Sequence, residues 1–76
     1  MAVAYVMINC ELGAEEEISE SLKELDEVVF VDKVHGAYDL LVKVEAKSPV
    51  ELRETISWKV KSIKKIRSTI TLMKEE

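Results

Sequence analysis

Val34-His35-Gly36-Ala37-Tyr38-Asp39-Leu40 lies at the middle of the 76-residue chain, and its reading decides the fold. It separates two apolar runs with strand character, Val28 to Val34 and Tyr38 to Glu45. The chain's only glycine besides Gly13 falls inside it. Glycine accepts positive φ without steric cost, so a glycine between two such runs predicts a tight hairpin turn. A ring and a carboxylate, Tyr38 and Asp39, follow at the mouth of the next strand. Bare backbone, ring and charge together suit a small polar ligand. The same residues also serve as plain turn formers.

Outward from this stretch, periodicity supplies the remaining elements. Ala2 to Cys10 reads as a strand with Val3, Tyr5 and Met7 on one face and Ala4, Val6 and Ile8 on the other. Ala14 to Leu25 reads as a helix, because Ile18, Leu22 and Leu25 recur at i, i+4 and i+7. Glu15, Glu16 and Glu17 sit in its first turn, where carboxylates meet the positive end of the helix dipole. Ser48-Pro49-Val50-Glu51 announces a second helix: Ser48 caps, Pro49 suits the first helical position, and Glu51 completes a capping box. Leu52, Ile56, Val60 and Ile63 continue its stripe, and the helix is expected to run to Lys61. Ile66 to Met73 alternates as a final strand, with Ile66, Ser68, Ile70 and Leu72 opposed to Arg67, Thr69, Thr71 and Met73. Lys74-Glu75-Glu76 reads as a free tail.

The order is βαββαβ, an α+β, ferredoxin-like plan with a four-stranded antiparallel sheet and two helices on one face. Residues 1–76 are expected to form a single domain. Two helices cover only one sheet face, and the other should turn polar if it met water. In the first three strands it stays apolar, and a patch of that size is larger than monomers usually expose. The second face is therefore expected to pack on the same face of another copy, a dimeric α+β-barrel-type association.

Composition narrows the functions. Cys10 is the only cysteine and His35 the only histidine, so neither an internal disulfide nor a multi-ligand metal site is expected. No run approaches the ~20 apolar residues of a membrane span, and Met1 to Cys10 lacks the marks of a signal peptide; a cytoplasmic location is expected. A net charge of −4 argues against nucleic acid as a partner. The charge is uneven, with nine acids and two bases in residues 1–38 but six acids and nine bases in residues 39–76. Lys59, Lys61, Lys64, Lys65 and Arg67 read as a solvated helix end favoured by the dipole. Trp58 is expected at an edge or interface, and Cys10 as a small core hydrophobe. Aromatics make up 5% of residues, too few for an RNA-recognition surface. No nucleophile–base pair or pair of carboxylates suggests catalysis, and no cofactor is implied.

From the hairpin onward, Gly36-Ala37-Tyr38-Asp39-Leu40 and the alternating Arg67-Ser68-Thr69-Ile70-Thr71-Leu72 strand, and upstream of it the Leu25-Asp26-Glu27-Val28-Val29-Phe30-Val31 junction, resemble the effector-binding (RAM) domain of the Lrp/AsnC transcriptional regulators. The resemblance runs from the first strand to the last. Full regulators of that family carry a helix-turn-helix, whereas this chain begins at the first strand and looks like a stand-alone version of the domain, without direct DNA binding. Lys65 stands where the family often has glycine before the final strand, and a different local backbone is expected there.

The resemblance implies sheet-to-sheet dimers assembling into rings of four or five dimers, octamers or decamers, with small effectors, typically amino acids, bound where dimers meet. Carried over by position, it implies His35, Gly36, Ala37, Tyr38 and Asp39 from one subunit and Ser68, Thr69 and Thr71 from a neighbour. Backbone N–H groups at the glycine turn suit a carboxylate, and Asp39 suits an ammonium. The implied role is an amino-acid-sensing module that oligomerises and modulates transcription indirectly, through full-length Lrp/AsnC regulators. The alternatives are a dimeric α+β-barrel enzyme of the monooxygenase kind and a purely structural oligomerisation domain.

Overall fold

A computed structural model describes residues 1–74 of the chain. Its elements run β1 (Ala2–Cys10), α1 (Glu15–Lys23), β2 (Val28–Lys33), β3 (Leu40–Ala46), α2 (Pro49–Glu54, continued by a π-helical segment Thr55–Val60) and β4 (Ile66–Met73). The four strands form one antiparallel sheet in the order β2-β3-β1-β4. The ferredoxin-like βαββαβ plan expected from the sequence is the one observed.

The helices seal the two inner strands on one sheet face. Ala4, Val6 and Ile8 of β1 and Leu40, Val42 and Val44 of β3 are all 0% exposed, packed with Ile18 and Leu22 of α1 and with Leu52, Ile56 and Val60 of the second helix. Directly opposed residues share a face, so the register defines the other side as well. One row runs Ile70, Met7, Leu41, Asp32 across the sheet, and the next runs Leu72, Tyr5, Lys43, Phe30. This open face is mostly apolar; of its charged members, Asp32 lies on the edge strand, and Lys43 and Glu45 lie 3.5 Å apart.

Both helices begin as their sequences predict. Ser48 Oγ accepts the Glu51 backbone N–H at 3.2 Å with Pro49 at the first helical position. The α1 N-terminus has no side-chain cap, but its three glutamates occupy the first turn. Leu52, Ile56 and Val60 are spaced by four residues, more than the about 3.6 of an α-turn. The wider i→i+5 turns of Thr55–Val60, closed by Lys61 N–H on Ile56 O at 2.9 Å, keep that stripe on the core. Ser62 Oγ then donates to the Trp58 and Lys59 carbonyls and finishes the segment.

Four local expectations are corrected. Residues 34–39 form a six-residue loop rather than a tight turn, closed by the Val34 N–H on Asp39 O at 2.9 Å, with Gly36 at φ +130°. In β4, a bulge opposite Asn9 and Cys10 leaves Arg67 as the extra residue, so Ile66 pairs with Cys10 and turns to the helix side, away from Ser68, Ile70 and Leu72. Lys74 is tied down by its N–H to Val3 O at 2.9 Å, while Glu75 and Glu76 lie outside the described residues. Lys65 takes the left-handed conformation natural to glycine, φ +73°, despite its side chain. Its carbonyl accepts the Glu11 N–H at 2.8 Å and its ammonium meets Glu17 at 2.9 Å.

Candidate functional site

Asp39 is the residue on which the hairpin end of the sheet is built. Its N–H donates to Ile8 O and its carboxylate Oδ2 accepts the Cys10 N–H, at 2.9 and 2.8 Å. The side chain thus takes over where the β1–β3 ladder stops and pins the loop to the end of β1. That end of β1 also faces the β4 bulge, which brings Arg67 and Ser68 close. Asn9 Nδ2 donates to Ser68 Oγ at 3.3 Å across the β1–β4 pairing.

The result is an open cleft of about 520 Å³ lined by Asn9, Cys10, Leu12, Glu15, Asp39, Arg67 and Ser68. Its lining carries both signs of charge, the Arg67 guanidinium and the Asp39 and Glu15 carboxylates. Cys10 belongs to its floor as a core residue, only 6% exposed. Burial raises its thiol pKa, and the nearby Asp39 and Glu15 charges add to the effect, so the group stays protonated at neutral pH. This matches the small hydrophobe expected from the sequence.

Of the residues singled out from the sequence, Asp39 and Ser68 come together in this cleft within one chain. His35, Gly36 and Ala37 stand exposed on the loop outside it, and Tyr38 is half-buried without lining it. Thr69 and Thr71 pair with Ile8 and Val6, hence point to the helix side of the sheet, opposite to Ser68. Thr71 Oγ1 is buried there with no hydrogen-bond partner among the described residues. Sequence reasoning missed Asn9, Glu15 and Arg67. Asn9 carried a signal: it is the one polar residue on a β1 face otherwise made of Val3, Tyr5 and Met7. Arg67 carried none, because its position depends on a bulge that only the β1 partner reveals.

Elsewhere the surface is stitched by ion pairs. Lys33 pairs with Glu16, joining β2 to α1, and Lys59 pairs with Glu27 at 2.8 Å. Each holds its carboxylate below the usual range through the hydrogen bond from the lysine. Trp58 is 76% exposed on the π-helical segment. No helix among the described residues is long and apolar enough to cross a membrane.

A βαββαβ sheet with both helices on one side makes this an α+β domain of the ferredoxin-like class. Residues 3–74 match the family model of the Lrp/AsnC ligand binding domain, and the chain belongs to that family. An HTH-type transcriptional regulator of Pyrococcus furiosus is 36% identical over 69 residues, 91% of this chain and 47% of that protein. A homocitrate synthase of Sulfurisphaera tokodaii is 35% identical over 69 residues, 90% of this chain and 15% of that enzyme. The chain thus spans about half, or less, of the length of these curated relatives. The crystal structure of FFRP-DM1 superimposes with a TM-score of 0.95 at 32% identity, over 99% of this chain and 100% of that one.

Proposed function

We propose that the domain senses a small zwitterionic metabolite, an amino acid foremost, in the cleft around Asp39, and that occupancy acts on the assembly of its copies. The observation that carries this reading is the opposed charge in one cleft. Arg67 offers a guanidinium to a carboxylate, and Asp39, whose Oδ2 is engaged by the Cys10 N–H, keeps Oδ1 for an ammonium. Asn9 and Ser68 supply neutral donors and acceptors between them. Membership of a ligand-binding family supports the same role.

In this reading the open sheet face is covered by a second copy, and such dimers assemble further. The loop residues His35, Gly36, Ala37 and Tyr38 of a neighbour close the cleft from outside. Thr69 and Thr71, whose side chains turn to the helix side of the sheet, take no part in the cleft. The domain performs no chemistry of its own; its output is a change in a regulator with which it assembles in the cytoplasm.

One observation favours a second reading of the output. A stretch of the same length is matched in the homocitrate synthase, a catalytic chain. In that reading the partner answering to the effector is an enzyme rather than a DNA-binding regulator.

Thermal unfolding against the twenty amino acids tests the proposal. A ligand at a hundred times its Kd stabilises the folded state by roughly 2.7 kcal/mol, and each 1 kcal/mol moves Tm by about 4–8 °C in a domain of this size. A selective rise that vanishes in Asp39→Asn supports the reading. A flat panel overturns the amino-acid assignment.

A further inference from the structure

We propose a second binding site, for a small organic cation with an apolar body, at the end of the sheet opposite to Asp39. β3 leaves the sheet there at Ala46, paired with Ala2, and the second helix passes over it. Between them lies a cleft of about 560 Å³, within the roughly 300–1,000 Å³ range of small-molecule pockets. It goes beyond the effector reading and shares no residue with the Asp39 cleft.

The long wall of this cleft is one face of a helix. Glu51, Glu54, Thr55 and Trp58 fall at i, i+3, i+4 and i+7, the spacing that stacks side chains on one side. Trp58 sits on the π-helical turn, a distortion frequent at functional sites, and leaves its indole 76% exposed beside the opening. Ala46 and Thr55, 7% and 6% exposed, give the cleft a closed floor, and Met1 lies across one side. An exposed indole over such a floor offers an apolar body something to cover.

Charge selects the occupant. The lining holds the carboxylates of Asp26, Glu27, Glu45, Glu51 and Glu54 against the ammonium groups of Lys47 and Lys59. Lys59 is already bound to Glu27 Oε2 at 2.8 Å, and Glu45 lies 3.5 Å from Lys43. Oε1 of Glu27 is buried without a hydrogen-bond partner among the described residues, which leaves an acceptor open to a donor. Glu51 is accounted for by the positive end of its helix, but Glu54 lies beyond the first turn. Asp26 and Glu54 stand without an ion-pair partner among the described residues against the one such lysine in the lining, Lys47, and an alkyl- or arylammonium answers the excess of negative charge. Its charge pairs with Glu54 and lies over the Trp58 ring, and its body covers Ala46.

Trp58 is the only tryptophan, so its fluorescence reports on this cleft directly. Titration with phenylethylammonium is expected to give a saturable change, with 2-phenylethanol giving none. Glu54→Gln should weaken binding about tenfold, the loss of one charge-assisted hydrogen bond, whereas Asp39→Asn should leave it unchanged. No saturable change up to roughly 10 mM, equal binding of the alcohol, or unaltered affinity in Glu54→Gln overturns the proposal. Loss of the signal in Asp39→Asn would also overturn it, by assigning the amine to the other cleft. So would binding of a lysine-rich peptide without binding of the free amine, which would make the occupant a protein.

Discussion

The two faces of the sheet are built from similar side chains and end in different environments. On the helix side, Val6, Ile8, Leu40, Val42 and Val44 are sealed at 0% exposure. On the open side, Val3, Tyr5, Met7 and Leu41 remain half-exposed, and Ile70 and Leu72 are 42% and 53% exposed. The first face explains why a chain of this size folds at all. The second adds no comparable burial within one chain, because no helix lies over it. A solvated face would alternate to polar residues, yet here most polar residues lie at its margins, Asn9 and Ser68 at one end, Glu45 at the other and Asp32 on the edge strand, with Lys43 alone inside and 3.5 Å from Glu45. That distribution fits a contact surface framed by binding clefts.

The sharpest way to break this comparison is to cut the sealed face. Ile8→Ala removes a fully buried side chain and is expected to cost about 2–5 kcal/mol, enough to unfold much of a small domain. Urea denaturation reads the loss directly.

The next effect concerns Asp39, where structure and ligand binding meet. Asp39→Ala strands the Cys10 N–H in a part-buried site and should cost roughly 1–3 kcal/mol. Asp39→Asn keeps a carbonyl acceptor for that N–H and should recover most of the stability while losing the charge an ammonium needs. If both variants are equally unstable, the charge itself holds the loop.

On the open face, Leu72→Lys should leave monomer stability within about 0.5 kcal/mol, as exposed sites do. It should weaken self-association at least about tenfold, a difference of about 1.4 kcal/mol. Sedimentation measures both states, and unchanged association would remove the sheet from the interface. The smallest effect is expected at Lys65→Gly. Relief of the left-handed strain, of order 1 kcal/mol, is offset by the lost Glu17 ion pair and by glycine's unfolded-state entropy. A net change within about 0.5 kcal/mol in thermal unfolding is expected.

Much of this was legible from the residues alone. The alternation in Ala2–Cys10 and Ile66–Met73 gave both strand spans as observed, and Ser48 to Glu51 announced the second helix through chemistry local to four residues. The bulges were not legible. Val29 and Arg67 are extra residues only relative to the strands beside them, β3 and β1. One bulge turns Ile66 to the core and sets Arg67 in the cleft. The loop over 34–39 misled for a related reason. Its glycine signals a reversal, but the length of the connection is set by where Asp39 captures the end of β1. The site was half legible because its residues come from four separate segments. Only Asp39 and Ser68 were marked by the family resemblance, and the turn-forming neighbours of Asp39 shared its motif without sharing the cleft.

The most direct test of an effector-binding cleft is a ¹⁵N–¹H spectrum of the labelled domain titrated with each amino acid. The account predicts that at least one causes saturable shifts at the amides of Asn9, Asp39, Arg67 and Ser68, with the Glu51–Trp58 helix face unmoved. Spectra that stay unchanged with all twenty, or shifts centred on Trp58 and absent around Asp39, would contradict it.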